Sequence, residues 1–234
     1  MQIVLFALLG AVAGLLLEPL VVRLAVPATE GEPPPSEEHP VTASSGEAGR
    51  VRLAALIGEG PLWRRPAFVA VTVAAFAVAA ARYEQPEQAA VVSAYAAVLI
   101  ACAATDLMAF RVPNVITYPA AGGALLAAAL MPHGSVTEAL IGGAVGAGLL
   151  LVIALISRGG LGLGDVKLAG FAGLALGGPL ILPALLITSL AGGLVAAYLV
   201  LRVRRRSHPM PYAPFIAVGA LAVLLWQGSA FASL

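Results

Sequence analysis

Most of this chain consists of apolar runs separated by short polar breaks. A helix needs about 20 apolar residues to cross a bilayer, and runs of this length are typical of transmembrane helices. Eight runs stand out, at 1–22, 66–81, 89–105, 115–131, 136–157, 166–176, 180–201 and 214–231. The run 166–176 is shorter than a span, so we expect it to borrow residues from the turn before it. The pattern predicts an all-α, polytopic membrane protein with about eight transmembrane helices.

One long polar segment, 23–65, interrupts this pattern. Its first half is acidic and rich in proline, and segments of this composition bury too little apolar surface to offset the entropy of folding. We therefore predict three regions. These are a first transmembrane helix at 1–22, a partly disordered cytoplasmic loop at 23–65, and a membrane-embedded helix bundle at 66–234.

Glycines inside the bundle indicate where helices approach closely. Gly142 and Gly146 are four positions apart, and so are Gly173 and Gly177. Small residues at this spacing let the backbones of two membrane helices come together. These glycines therefore form two small-residue faces that permit close helix contact.

Composition supports the membrane assignment and narrows the possible chemistry. The chain is 60% hydrophobic and 11% charged, with a mean hydropathy of +0.97, far from the roughly 25% charged residues of soluble domains. We expect membrane lipid as a partner and no nucleic acid. The single cysteine, Cys102, excludes an intramolecular disulfide and a multi-cysteine zinc site. We predict neither a metal nor a cofactor, and the sequence leaves the oligomeric state open.

The positive charges indicate an orientation. Cytoplasmic loops of membrane proteins carry an excess of Lys and Arg. With the N-terminus outside, 12 of the 13 Lys and Arg residues fall on the cytoplasmic side, and Arg82 is the exception. We therefore predict that the N-terminus lies outside. The same parity places Asp106 and Asp165 together at the cytoplasmic boundary.

The segment 162–167, which reads Gly-Leu-Gly-Asp-Val-Lys, places an acid between two apolar runs. A carboxylate at the centre of a membrane helix costs about 2.5–3.5 kcal/mol on insertion scales, so Asp165 requires a partner, a water-filled cavity or a function. Gly162 and Gly164 permit a left-handed backbone or a close approach that would present Asp165 to a cleft. Lys167 needs no special role, since a lysine on the cytoplasmic side is explained by anchoring alone.

Asp106 has a comparable setting, because it follows an apolar run and precedes a polar break. Two neighbouring carboxyl groups do not ionise equally, so one serves as a base and the other as an acid around a shared water. Such a pair can hydrolyse a peptide bond. The alternative is that each aspartate is only a solvated boundary residue or a helix cap, and the two residues alone leave both interpretations open.

Three motifs together resemble the type IV prepilin leader peptidases, a family of GxGD intramembrane aspartic peptidases. Asp106 with Arg-Val-Pro-Asn at 111–114 resembles the family's first element, Asp followed by Ile-Pro-Asn. The segment 162–168 resembles the second, GxGD followed by Val-Lys-Leu. Pro-Tyr-Ala-Pro-Phe at 211–215 is similar to the Pro-Tyr-Gly-Pro-Phe signature. The motifs occur in the family's order, and the resemblance covers most of 89–234.

The resemblance implies an aspartic endopeptidase of the bacterial inner membrane. Its substrates would be prepilin-like proteins with a short basic leader and a hydrophobic helix, cut on the cytoplasmic side just ahead of that helix. Asp106 and Asp165 carry over as the catalytic pair. Other motif positions carry over as substrate contacts or structural support, namely Pro113, Asn114, Gly162, Gly164, Lys167, Pro211, Tyr212 and Pro214.

The chain departs from larger relatives in its first cytoplasmic loop. That loop lacks the paired CxxC motifs that hold zinc in those proteins, so the chain resembles a short form of the family. Larger relatives also methylate the new N-terminus with S-adenosylmethionine. The resemblance leaves open whether this chain transfers a methyl group.

Other function classes compete with this interpretation. A transporter also holds paired acids, although these lie near mid-membrane between inverted repeats. A GxGD protease of the presenilin or signal-peptide-peptidase type is closer in chemistry, but its first aspartate follows a tyrosine, whereas Thr105 precedes Asp106. A non-catalytic assembly protein of a pilus or secretion system predicts that both aspartates can be replaced without loss.

Overall fold

The computed structural model of the protein describes residues 1–25, 64–157, 161–203, 210–230 and 232–233. The described part contains eight helices, which we number in chain order. They are α1 (Gln2–Ala25), α2 (Arg64–Arg82), α3 (Pro86–Ala109), α4 (Asn114–Leu130), α5 (Val136–Ile156), α6 (Leu163–Leu176), α7 (Gly178–Val203) and α8 (Ala213–Trp226). The prediction of an all-α polytopic protein is confirmed. The predicted disorder of the polar loop falls mostly on 26–63, which lies outside the described residues.

Two helix ends differ from the apolar runs. Helix α6 begins at Leu163, so it takes in the residues of the turn, as its short run requires. Helix α8 ends at Trp226 instead of continuing to 231. There Gly228 adopts a positive φ of 121°, and the strands β1 (Gly228–Ser229) and β2 (Ala232–Ser233) form a minimal antiparallel pair. The sequence carries a signal for this turn, because Gln227, Gly228 and Ser229 interrupt the apolar run that the prediction extended to 231.

Helix length separates the helices into two groups. Four of the described helices are long and apolar enough to cross a membrane, at Gln2–Ala25, Pro86–Ala109, Val136–Ile156 and Gly178–Tyr198. Helix α6 has only 14 residues, which at about 1.5 Å per residue is shorter than a hydrocarbon core of about 30 Å. Its position therefore depends on the helices around it.

A glycine seam attaches α6 to the long helix α5. A Cβ added at Gly142 would collide with the carbonyl oxygen of Gly173, and one added at Gly173 would collide with the carbonyl of Gly142. A Cβ at Gly146 would collide with the carbonyl oxygen of Ala169. The two small-residue faces of the sequence thus meet each other in the fold. Backbones this close gain dispersion contacts that larger side chains would prevent.

Helix α8 packs against α3 and α7 in the core of the bundle. Its inward face includes the buried residues Ile216, Val223 and Leu224. The hydroxyl of Thr188 on α7 donates hydrogen bonds to its own helix, at Ala184, and to the carbonyl of Phe215, at 2.8 and 3.2 Å. This packing fixes the N-terminus of α8 beside the C-terminal end of α3.

Candidate active site

The chain contains two aspartates, and the fold brings them to one pocket. Asp106 lies in the last turn of α3 and Asp165 in the first turn of α6. Their side chains are 5% and 7% exposed. The pocket has a volume of about 320 Å³ and is lined by both aspartates together with Phe110, Arg111, Val112, Asn114, Gly162, Leu163, Gly164 and Lys167. The first and second sequence motifs thus meet at one place.

The chain reverses direction immediately after Asp106. Phe110 ends α3 in the left-handed conformation, with φ 51° and ψ 40°, and its N–H donates to the carbonyl of Asp106 at 2.8 Å. A non-glycine residue pays about 1–2 kcal/mol for this conformation. Pro113 then caps α4, and its carbonyl accepts hydrogen bonds from the N–H and the hydroxyl of Thr117. This tight connection keeps Asn114 at the pocket.

Asp165 occupies the third position of α6 and helps to cap that helix. Its Oδ2 accepts a hydrogen bond of 3.2 Å from the N–H of Gly162. Gly162 has φ −76°, so of the two possibilities that these glycines permit, the left-handed backbone is not used here. A close approach is observed at Gly164, where an added Cβ would lie 3.0 Å from the Cβ of Val112. The glycine lets the first turn of α6 press against the segment that follows α3.

Asp106 is held by the third motif. Its Oδ2 accepts a hydrogen bond of 3.0 Å from the N–H of Ala213, which is 107 positions away in sequence. Ala213 is the first residue of α8, and the N–H groups of a first helical turn have no partner within the helix. Ala213 was not among the site residues predicted from the sequence. The available signal was its place inside the motif at 211–215.

The predicted support residues of this motif lie around Ala213 and outside the lining of the pocket. Pro211 precedes the helix and is partly buried. The ring of Tyr212 packs 5.9 Å from that of Phe215, and a Cβ added at Gly192 would lie 3.0 Å from the Tyr212 ring. Pro214 occupies the first turn of α8, where a proline costs no hydrogen bond. These contacts fix the direction of the Ala213 N–H.

Lys167 links the first two motifs across the mouth of the pocket. Its Nζ donates a hydrogen bond of 3.0 Å to Oδ1 of Asn114 and lies 5.1 Å from the centre of the Tyr118 ring. The hydrogen bond is exposed to solvent, so its energetic contribution is small. Lys167 thus has a specific hydrogen-bond partner, which anchoring by its positive charge alone does not require.

The electrostatics of Asp165 differ from those of a solvated carboxyl group. Asp165 lies outside the four long helices. Its pKa is raised to about 7, first because burial disfavours the charged form and second because of the charge of Asp106. Its Oδ1 is buried and has no hydrogen-bond partner among the described residues. A carboxyl group with such a pKa can hold or release a proton near neutral pH, as acid–base catalysis requires.

No group of three or more His, Cys, Asp and Glu residues that could hold a metal ion occurs in the described part of the chain. Cys102 lies on α3 one turn before Asp106 and is fully buried.

Comparison with known proteins identifies a family. The model of the type IV leader peptidase family matches residues 93–197, a range that includes both aspartates. A prepilin leader peptidase/N-methyltransferase of Bacillus subtilis is 33% identical over 165 residues, or 70% of this chain and 66% of that protein. A protein of the same name from Aeromonas hydrophila is 33% identical over 138 residues, which cover 56% of this chain and 48% of the relative.

A third relative, the prepilin leader peptidase/N-methyltransferase of Pseudomonas putida, is 43% identical over 77 residues, or 32% of this chain and 26% of that protein. The chain thus spans between about a quarter and two thirds of these relatives. No solved structure matches the chain.

Proposed function

Since this chain belongs to the type IV leader peptidase family, we propose that it is a membrane aspartic endopeptidase that removes the leader of prepilin-like proteins. The observation that carries the proposal is the meeting of Asp106 and Asp165 in one pocket, at the ends of two different helices. Both side chains are buried, which argues against solvated boundary residues. The location that we propose is the bacterial inner membrane, with the pocket on the cytoplasmic side.

The proposed reaction is the hydrolysis of one peptide bond by an acid–base pair. One carboxylate accepts a proton from water as the water oxygen attacks the scissile carbonyl carbon. The other carboxyl group protonates the carbonyl oxygen, and the leaving amine takes a proton as the C–N bond breaks. A pocket of about 320 Å³ can hold both a water molecule, with a share of liquid volume of about 30 Å³, and a peptide unit.

The surroundings of the pocket fit a substrate whose hydrophobic helix lies beside the scissile bond. Leu163 lines the pocket and is 65% exposed, and Leu107 and Val115 nearby are 50% and 75% exposed. Exposed apolar side chains at the end of a membrane bundle can contact either lipid or an apolar segment of a second protein. A prepilin-like helix that reaches the pocket through the lipid would contact them.

Reconstitution with a substrate tests the proposal. The purified protein is mixed in lipid vesicles with a prepilin-like protein that has a basic leader, and the N-terminus of the product is determined by mass spectrometry. We expect one cut just ahead of the hydrophobic helix, and no cut by an Asp106→Asn, Asp165→Asn double variant. When S-adenosylmethionine is added as the methyl donor, the same masses report whether the new N-terminus is methylated.

Other outcomes correspond to the rival functions. Cuts within the hydrophobic helix would indicate a different GxGD intramembrane protease. Intact substrate with every prepilin-like protein tried, from a folded enzyme, would overturn the proposal in favour of an assembly protein. Proton uptake by vesicles without cleavage would point to a transporter, in which paired acids serve as a proton relay.

A further inference from the structure

The two aspartates have unequal hydrogen-bonding environments, although their burial is almost equal. Oδ2 of Asp106 accepts the N–H of Ala213 at 3.0 Å, and the backbone N–H of Tyr212 is a further donor to this carboxyl group. Oδ2 of Asp165 accepts the N–H of Gly162 at 3.2 Å. The remaining oxygen of Asp165, Oδ1, is buried and has no partner among the described residues. Neither oxygen of Asp106 is both buried and without a hydrogen-bond partner. The two acids are therefore not interchangeable.

A buried carboxylate oxygen without a donor is costly, because the charge has lost water and gained nothing in return. Placing a proton on that oxygen removes the charge and most of the cost. The surroundings of Asp106 instead stabilise its charged form. The Ala213 N–H has no role in the hydrogen bonds of α8, and the N-terminus of a helix carries a partial positive charge that stabilises an anion.

Asp165 also lies at a helix N-terminus, that of α6, so the dipoles alone do not separate the two acids. The difference lies in Oδ1 of Asp165, which has no hydrogen-bond donor among the described residues. Among the described residues, other titratable or charged groups near the pair are Cys102 on α3, Arg111 after α3, Lys167 on α6 and Tyr212 before α8. The Lys167 amine donates a hydrogen bond to Asn114. Cys102 and Tyr212 are neutral donors at physiological pH.

We propose that Asp165 holds the proton of the resting pair, on its Oδ1, and that the Ala213 N–H keeps Asp106 ionised as the base. The raised pKa of Asp165, about 7, agrees with this assignment. Ala213 is a positioning residue that acts through its backbone. The roles as acid and base rest on the proposed function, whereas the location of the proton in the resting protein does not.

The assignment gives each proton a path. Water adds to the carbonyl carbon, one water proton passes to Asp106, and the proton on Asp165 passes to the carbonyl oxygen. As the C–N bond breaks, Asp106 returns its proton to the leaving nitrogen and one hydroxyl of the intermediate reprotonates Asp165. The products are a carboxylic acid and an amine, and both aspartates regain their initial states.

Infrared spectroscopy can locate the proton directly, because the chain contains only these two aspartates. The full-length protein is labelled with 13C in the aspartate carboxyl groups and studied in vesicles at about pH 6, where solvated carboxyl groups are ionised. We expect one protonated carboxyl band in the wild type. The band should persist in Asp106→Asn and disappear in Asp165→Asn.

The reverse pattern would overturn the proposal, and so would the loss of the band in both variants, which would indicate a proton shared between the acids. Absence of the band in the wild type would overturn it too. None of these results depends on cleavage. A failure of the assignment is thereby distinguished from a failure of the proposed function, which would leave the spectra unchanged and the substrate intact.

A backbone substitution tests the role of Ala213. Incorporation of lactic acid at position 213 replaces the N–H by an ester oxygen and keeps the side chain. In the Asp165→Asn background, the titration midpoint of labelled Asp106 should move up by about one to two pH units, since a hydrogen bond to a charged group contributes about 1.5–3 kcal/mol. An unchanged midpoint would show that Ala213 does not hold the charge.

A matched control uses the first residue of another helix. Val136 begins α5, so its N–H is also unused within the helix. The corresponding ester at Val136 introduces the same backbone change away from the pocket. We expect no shift of the Asp106 midpoint, and a shift equal to that of the Ala213 ester would overturn the assignment by showing a general effect on folding.

Discussion

The two ends of α8 follow the same electrostatic rule but differ in what they can do. At the N-terminal end, the N–H of Ala213 donates to the buried carboxylate of Asp106. At the C-terminal end, the guanidinium of Arg82 donates to the carbonyls of Leu225 and Trp226 at 3.1 and 2.9 Å. Free N–H groups attract an anion and free carbonyls attract a cation. Both ends of the helix are thus capped by a group of the expected sign.

The difference between the ends lies in protonation. An arginine stays charged at any physiological pH. Beside it, the hydroxyl of Tyr83 donates to the carbonyl of Leu224 at 2.7 Å, and burial raises the pKa of Tyr83 to about 12, so it remains a donor. At the other end, the carboxyl pair can change its charge near neutral pH. The C-terminal end therefore stabilises the fold, and the N-terminal end can take part in chemistry.

The largest expected effect comes from removing either acid at the pocket end. Asp106→Asn and Asp165→Asn should each lower kcat by about 10³-fold or more while the protein still accumulates in the membrane. Because the acids act as one unit, the double variant should be hardly worse than either single variant. Cleavage assays normalised to folded protein measure this. Single variants that keep a sizeable fraction of activity, with losses that multiply in the double variant, would contradict the pair.

The second largest difference between the two ends of α8 is expected in how activity and stability depend on pH. If Asp165 must hold a proton, kcat/KM should fall about tenfold per pH unit above its pKa of about 7. The same raised pKa means that the folded state binds the proton more tightly than the unfolded state. Stability should accordingly fall as pH rises from about 4 to about 7 and then level off.

Thermal unfolding in detergent measures the stability part of this prediction. Asp165→Asn should remove most of the pH dependence of Tm in this range, since an amide does not titrate. Arg82→Gln, at the other end of α8, should lower Tm by a similar amount at every pH. A pH dependence that is undiminished in Asp165→Asn would assign it to another group.

A smaller effect is expected from crowding the pocket. Gly164→Ala would place a Cβ 3.0 Å from that of Val112, which forces the first turn of α6 to shift by a few tenths of an ångström. We expect kcat to fall about tenfold, because displacements of this kind disturb the alignment of catalytic groups. Gly148→Ala is the matched control, since no atom lies within 4 Å of its added Cβ. Equal losses in both variants would contradict the prediction, because Gly148 lies on α5 and its added Cβ contacts no residue of α6.

The smallest effect on activity should come from the C-terminal end of α8. Tyr83→Phe leaves the buried carbonyl of Leu224 without its donor and should lower the free energy of unfolding by about 1–3 kcal/mol. Cleavage per folded molecule should be unchanged. Tyr198→Phe, at a side chain that is 62% exposed, should change neither quantity. Reduced cleavage by folded Tyr83→Phe protein would show that the two ends are coupled.

The sequence by itself determined the helical class and the position of most helices. Long apolar runs must form helices in lipid, because the backbone has no water to satisfy its N–H and carbonyl groups. The small-residue faces that form the glycine seam, with Gly142 and Gly173, were also visible in the sequence, since small residues in apolar runs permit close contact between membrane helices. The catalytic roles of Asp106 and Asp165 remain a prediction, although the residues were found from motifs alone.

Only the tertiary structure decided how these parts meet. The spacing of residues along one helix fixes its faces, but the contact between the N–H of Ala213 and Asp106, 107 positions apart, depends on how α8 packs against α3. Gly162 has φ −76°, an ordinary value that its missing side chain does not impose. The unequal environments of the two acids arise in the same way, because the burial of Oδ1 of Asp165 is a property of the assembled pocket.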